Sequence, residues 1–362
     1  MKKILLAIVV SGLLFGSCGQ NSKENQNDKT NPLMTAFETP FQVPPFDKIE
    51  DAHFMPAFIK AMEDHKNEIE AIVSNQEPAT FANTIAALDN AGMMLRRVSS
   101  VFENLKSSTT NETLQKIAAE ISPLQSKHYD DISLNPGLFK RIKAVYESEE
   151  KSKLANVELK LLNDTYKSFV RGGANLPEDK QARLREVNKR LSELSLNFDD
   201  NLLAETNNFK LFIEQEADLK GLPESVRQAA AIAAKEAGQE GKWLFTLQKT
   251  SLIPFLQFSE NRELREKLYT GYIKRCDNND KFDNKEILKE IVKLRAEKAE
   301  LMGFETYAHY ILDNRMAKSP EKVFDLLNKL ISEGNKVAAK ERDDLQQLIK
   351  EEGHDFKLAP WD

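Results

Sequence analysis

The sequence predicts a mostly α-helical protein carrying one small β insertion, and three observations lead there. Only 14 glycines and 13 prolines stand among 362 residues, fewer chain breakers than a loop-rich or all-β protein uses. Apolar side chains return at every third or fourth position through most of the chain, the period of one buried helix face. Alternation with period two is confined to two short stretches, about 209–214 and 242–248, and these read as strands.

From Asn31 to Ile49 the prolines Pro32, Pro40, Pro44 and Pro45 predict an extended lead-in lying over the domain. A helix is expected from about His53 to Val73, with Pro56 tolerable only in its first turn. Ile85, Leu88, Leu95, Val98, Phe102 and Leu105 then predict one long amphipathic helix. Further helices are expected over 113–129, 138–146, 154–170 and 179–204, with Gly172-Gly173 breaking the chain between the last two. Between the two strands, Pro223 marks a helix start and Gly238 its end. Beyond them, Asp283 to Glu286 has the spacing of a capping box ahead of Ile287, Ile291 and Leu294, and Gly303 supplies a stop. Ser319-Pro320 opens a last helix carrying Val323, Leu327, Leu330 and Val337. No fixed-period repeat appears, which excludes a solenoid of short repeats.

Composition sets the function classes. The net charge is −6 and hydrophobic residues make up 41%, so neither disorder nor a polytopic membrane protein fits. An isoelectric point near 5.7 provides no general attraction to nucleic acid. Two cysteines cannot build a disulfide framework. The first residues form an address: Lys2-Lys3 is basic and 4–15 is apolar, too short for a span of about 20 residues. Gly16-Ser17-Cys18 resembles a bacterial lipobox, in which the cysteine is lipidated. The expected organisation is a lipoprotein signal peptide over 1–17, a flexible tether over 18–31 and a helical domain over 32–362. Residues 19–31 carry no apolar side chain and suit a solvated tether. The expected location is the bacterial cell envelope, with membrane attachment through a lipid on Cys18 alone; Cys276 then has no disulfide partner.

Local chemistry is sparse. Among the histidines His53, His65, His128, His309 and His354 no two stand three or four apart, so no single helix face offers paired imidazoles. His-Glu-x-x-His, Gly-x-Gly-x-x-Gly, the P-loop and Gly-x-Ser-x-Gly are all missing from the sequence. His309 and Asp313 are one turn apart and could share a metal, but a half-exposed pair is the better expectation. Asp64-His65 reads as surface electrostatics on an acidic helix. Cys276 lies beside Arg275, which could lower its pKa, yet no histidine partner is evident. Arg171 is expected as a surface or capping residue, and Tyr269, Tyr272 and Tyr307 as packed aromatics with hydrogen-bonded hydroxyls. The catalytic, metal-ligand and substrate-contact residues are left unassigned.

Several segments resemble a known family. Phe46-Asp-Lys-Ile49 with His53-Phe-Met-Pro-Ala-Phe58, then Phe169-Val-Arg-Gly-Gly-Ala-Asn-Leu176, then Asn261 to Glu266 with Tyr269 and Tyr272, are similar to peptidyl-dipeptidases of the thimet oligopeptidase family of zinc metallopeptidases. The most specific likeness is Leu294-Arg-Ala-Glu-Lys-Ala-Glu-Leu-Met-Gly-Phe304, followed by Tyr307-Ala308 and Met316-Ala-Lys-Ser-Pro320; Leu358 to Asp362 resembles the segment leading into the family's catalytic half. The likeness runs in order from about Asn31 to Asp362.

That resemblance implies a helical lobe of a two-lobed zincin-type peptidase enclosing a narrow channel for short unstructured peptides. It implies zinc held by a His-Glu-x-x-His helix and a later glutamate, with removal of C-terminal dipeptides. None of those ligands maps onto a residue of this sequence, so the catalytic half is expected to be missing and the chain alone to bind no zinc and cleave nothing. The lobe is expected to expose an apolar wall that the other half would cover. Two alternatives stay open: an oligo-endopeptidase of the same family, and a non-catalytic helical lipoprotein that binds peptides or a partner.

Overall fold

The computed structural model describes residues 31–362; the signal-peptide, lipidation and tether assignments, Cys18 included, lie outside the described residues except for Asn31. The lead-in is held down rather than loosely draped. Asn31 accepts from Leu33 N–H and donates to His53 C=O, and Leu33 and Phe37 are buried against the first helices. Thirteen α-helical segments follow among the described residues. They are α1 (Phe54–Ser74), α2 (Ala87–Asn90), α3 (Met93–Thr109), α4 (Glu112–Ser133), α5 (Pro136–Glu147), α6 (Asn156–Arg171) and α7 (Glu178–Asn208), then α8 (Glu224–Glu236), α9 (Lys249–Phe258), α10 (Arg262–Ile273), α11 (Lys285–Leu301), α12 (Tyr307–Leu312) and α13 (Pro320–Glu351). The sheet consists of β1 (Leu211–Ile213) antiparallel to β2 (Trp243–Phe245), with Phe212 opposite Leu244. The fold class read from the sequence is the one observed. The strands are shorter than the alternating stretches because Leu247 turns into the core and the chain enters α9 two residues later.

Four apolar clusters organise the chain. In the first, Phe102 of α3 meets Phe54 and Phe58 of α1 edge-on, at centroid distances of 5.1 and 5.3 Å, an arrangement that suits the ring quadrupoles. The second joins the C-terminal half of α1 to α5 and α6 through Ile69, Ile72, Leu138, Ile142 and Leu162. The third packs both strands against α8, α9 and α10 around Phe245 and Phe255. The fourth joins α7 to α11 through Val187, Leu194, Ile291 and Leu294. Along that last seam Arg183 grips Glu297 and Arg190 grips Glu290, each with two nitrogens on two oxygens. A step of seven residues up α7 matches seven down α11, so the helices run antiparallel with coiled-coil-like spacing.

Three local expectations need correction. The helix expected through Ile85–Leu105 is broken: a π-helical turn over Phe81–Ala86 leads into α2, and the chain reverses at Gly92 before α3. Gly92 has φ +73°, and a Cβ there would stand 2.7 Å from the His65 ring. Both the left-handed conformation and the close approach require glycine. The capping box at Asp283–Glu286 does not form. Instead Asp283 accepts from Asn279 and Lys285 N–H, and Asn284 reaches across to Asn201 and Phe198 C=O. Its side chain fastens α11 to α7, a tertiary role that outcompetes the local cap. Finally, Asp64-His65 is not a surface pair, because His65 is only 9% exposed.

The chain's last described residues are docked, not loose. Arg262 holds Asp362 with two nitrogens, and Arg265 donates to Trp361 C=O and Asp362. The Asp362 side chain is 6% exposed. By contrast α13 presents an open apolar stripe, with Phe324, Leu327, Leu330, Val337, Leu345 and Leu348 exposed.

Candidate functional site

An open cavity of about 600 Å³ runs between α4 and α7, with residues of α3 lining one end and residues of α11 and α12 the other. Its volume is that of a small-ligand site. α4 supplies Ser122, Ser126, Tyr129 and Asp130, and α7 supplies Asn188, Ser195 and Asp199. Arg295 and Lys298 of α11 and Tyr307 of α12 close one end; the Arg295 guanidinium lies over the Tyr307 ring at 5.3 Å.

Along one wall runs an acid–amide–base chain whose acid, Asp130, is buried. Asn188 Nδ2 donates to Asp130 Oδ1 at 2.8 Å, and Lys298 Nζ donates to Asn188 Oδ1 at 2.6 Å. Burial raises the Asp130 pKa against the opposing pull of Asn188, Arg185 and Lys298. Burial likewise lowers the Lys298 pKa, with Asp130 acting the other way. The amide satisfies both charges without joining them. An ammonium has three donors, and Asn188 takes one of them.

Sequence reading missed these residues, although Lys298 stands where the periodicity calls for an apolar side chain. Ile287, Ile291, Leu294, Lys298 and Leu301 follow a four-three-four-three step along α11, and Lys298 is the one charge in that stripe. The same signal marks His65, which continues Phe54, Phe58 and Ala61 on α1.

The singled-out residues mostly serve structure. Arg171 is 12% exposed, pairs with Asp313 at 2.9 Å, donates to Tyr310 C=O at 2.6 Å and lies over the Tyr310 ring. It joins α6 to α12 and is not a surface residue. Asp313 is thereby engaged, also by Lys167 at 3.1 Å, while His309 Nδ1 faces Thr306 Oγ1, so His309 and Asp313 do not face a shared point. Cys276 is buried, its N–H donates to Glu205, and burial with the Glu205 charge pushes its thiol up to about 11. Such a thiol stays protonated and unreactive. Tyr269 packs against Trp361 and Tyr272 under Arg275; of the three tyrosines only Tyr307 reaches the cavity.

The histidines do pair, across helices. His65 Nδ1 and His128 Nε2 lie 3.0 Å apart. Among the described residues no three His, Cys, Asp or Glu side chains converge to hold a metal ion, so the donor sets present here do not fit zinc.

Comparison with known proteins points to one family. Residues 255–362 match the model of Peptidase family M3. Over 332 residues, 92% of this chain, the sequence is 33% identical to dipeptidyl carboxypeptidase of Escherichia coli (strain K12). Over nearly all of its described length the chain is similar to members of peptidase family M3. It is also 33% identical over 337 residues to oligopeptidase A of the same organism, and 30% identical over 341 residues to probable cytosolic oligopeptidase A of Arabidopsis thaliana. Each match covers 92% of this chain and 49%, 49% and 48% of the respective relative. The chain thus spans about half the length of the curated relatives it matches. The M3 family is one of metallopeptidases.

Proposed function

We propose that this protein is part of an exported zinc peptidase that removes C-terminal dipeptides from short unstructured peptides. The observation that carries the reading is the continuous match to dipeptidyl carboxypeptidase over 92% of the chain. Residues 31–362 supply the helical scaffold, and the hydrolytic metal chemistry belongs to sequence corresponding to the relatives' other half. When bound there, zinc would supply an activated water; no residue of this stretch is assigned to holding it. Residues 31–362 alone are then inactive.

The test is to incubate the full-length protein with peptides of five to ten residues and follow products by mass spectrometry. Release of dipeptides from the C-terminus, abolished by a chelator and restored by zinc, is expected. The absence of any cleavage would overturn the reading. A second reading, an oligo-endopeptidase, is favoured by the equal identity to oligopeptidase A, and internal cleavage would select it.

The proposal extends to location: Cys18 carries a lipid and holds the protein in the cell envelope. Its support is the sequence alone, from Lys2 to Cys18. A Cys18→Ser variant with its signal removed should leave the lipid fraction; its retention there would refute the anchor.

A further inference from the structure

The α4–α7 cavity has a polar axis. The two helices run antiparallel along it, with Asp130 beside Asn188 at one end and Ile121 and Leu196 in one cluster near the other. At the first end Arg295 and Lys298 face a single acid, Asp130. At the second, Glu103 and Asp199 line the wall with a single base, Lys106, which stands 3.8 Å from Glu103. One end is therefore net positive and the other net negative. Between them lie serine hydroxyls of both helices and the apolar side chains Ile121 and Leu191.

From Ala118 to Asp130, α4 covers about 18 Å at about 1.5 Å per residue. An extended peptide advances about 3.4 Å per residue, so about five residues fill that length. We propose that the cavity is a trough for a short extended peptide with both termini free. The carboxylate lies at Arg295 and Lys298, the ammonium at Glu103 and Asp199, and the serines serve the backbone amides. Charges of opposite sign at a fixed separation select length and direction, and a blocked terminus forfeits one of two charge-assisted contacts. The assignment rests on the peptidase reading for the class of ligand, and adds to it a place, a direction and a length.

The probe is pentaalanine, free, amidated at the C-terminus or acetylated at the N-terminus. Its binding to the full-length protein is measured by calorimetry with a chelator present to prevent turnover. A photo-crosslinking analogue reports where it binds. Cross-links to α4 and α7 are expected, with amidation weakening binding about tenfold. In Arg295→Gln, an exposed position that leaves the core intact, the penalty for amidation should shrink to about threefold or less. Asp199→Asn should do the same for acetylation. Cross-links elsewhere, or equal binding of free and amidated peptide, would overturn the trough. Terminus-dependent labelling of α4 and α7 without any peptide cleavage would keep the trough and sink the peptidase reading. Cleavage without such labelling would do the reverse.

Discussion

His65 of α1 and His128 of α4 share one hydrogen bond at 3.0 Å, Nδ1 to Nε2, although 63 residues separate them. One ring must be neutral to accept it. Burial is the main cause lowering both pKa values, and His128 is pushed down to about 4, its neighbour His65 adding to the effect. Glu68 opposes the shift at His65 and Asp131 at His128, while Arg96 and Lys127 reinforce it.

The pair should make the protein acid-sensitive. Between the ordinary histidine pKa near 6.5 and the folded value of about 4 for His128, the unfolded chain binds more protons. Stability contributed by the pair is therefore whole above pH 6.5 and falls as pH drops through that window. A loss on the order of 2 kcal/mol by pH 4 is expected, allowing for partial solvent screening. Urea unfolding at pH 7.5 and 4.5 measures it. A His128→Gln variant should show a clearly flatter dependence, and an unchanged slope would contradict the assignment.

Gly92→Ala should destabilise by about 2–4 kcal/mol, combining left-handed strain with the overlap on the His65 ring. Gly303→Ala is the comparison: φ is +77° but nothing lies within 4 Å, so backbone strain acts alone and the cost should be about 1 kcal/mol. Chemical denaturation of both variants gives the difference directly. Equal losses would remove the role of the ring.

Arg262→Gln should release the Leu358–Asp362 segment. The guanidinium makes two bonds to Asp362 at 2.8 and 3.0 Å and stacks on Phe356. Amide hydrogen exchange in 356–362 should rise at least tenfold with little change in α1 or α3, and global stability should fall by about 1–2 kcal/mol.

Cys276 should resist alkylation. With its thiol near 11 and buried, native protein at pH 8 should react with iodoacetamide at least a hundredfold more slowly than urea-unfolded protein. Mass spectrometry of timed samples reads the ratio. Rapid native labelling would show that Glu205 and burial do not hold the thiol protonated.

Much of the scaffold was legible without coordinates. The three-four spacing located α1, α4, α5, α6 and α7, because a helix face that must be buried writes its own period. The break at Gly92 was not legible, since Leu88, Leu95 and Val98 keep that period across it; only the His65 ring and the Glu68 carboxylate accepting from Gly92 N–H reveal its cause. The expected cap at Asp283 failed for a similar reason, with Asn284 drawn to α7. His65 and Lys298 left a readable trace as polar residues in apolar stripes, but a stripe does not say which partner faces it.

By itself the sequence determined the helical class, the strand pair and the M3 likeness, because these depend on local periodicity and on motifs contiguous in the chain. Only the tertiary structure decided that Asp130, Asn188 and Lys298 form one relay, that His65 meets His128, and that Arg171 binds Asp313 and Tyr310. Those side chains are 58 to 142 residues apart. Their pairing follows from which helix faces the packing brings together, and burial then makes an unmatched charge or donor costly enough that each must find its partner.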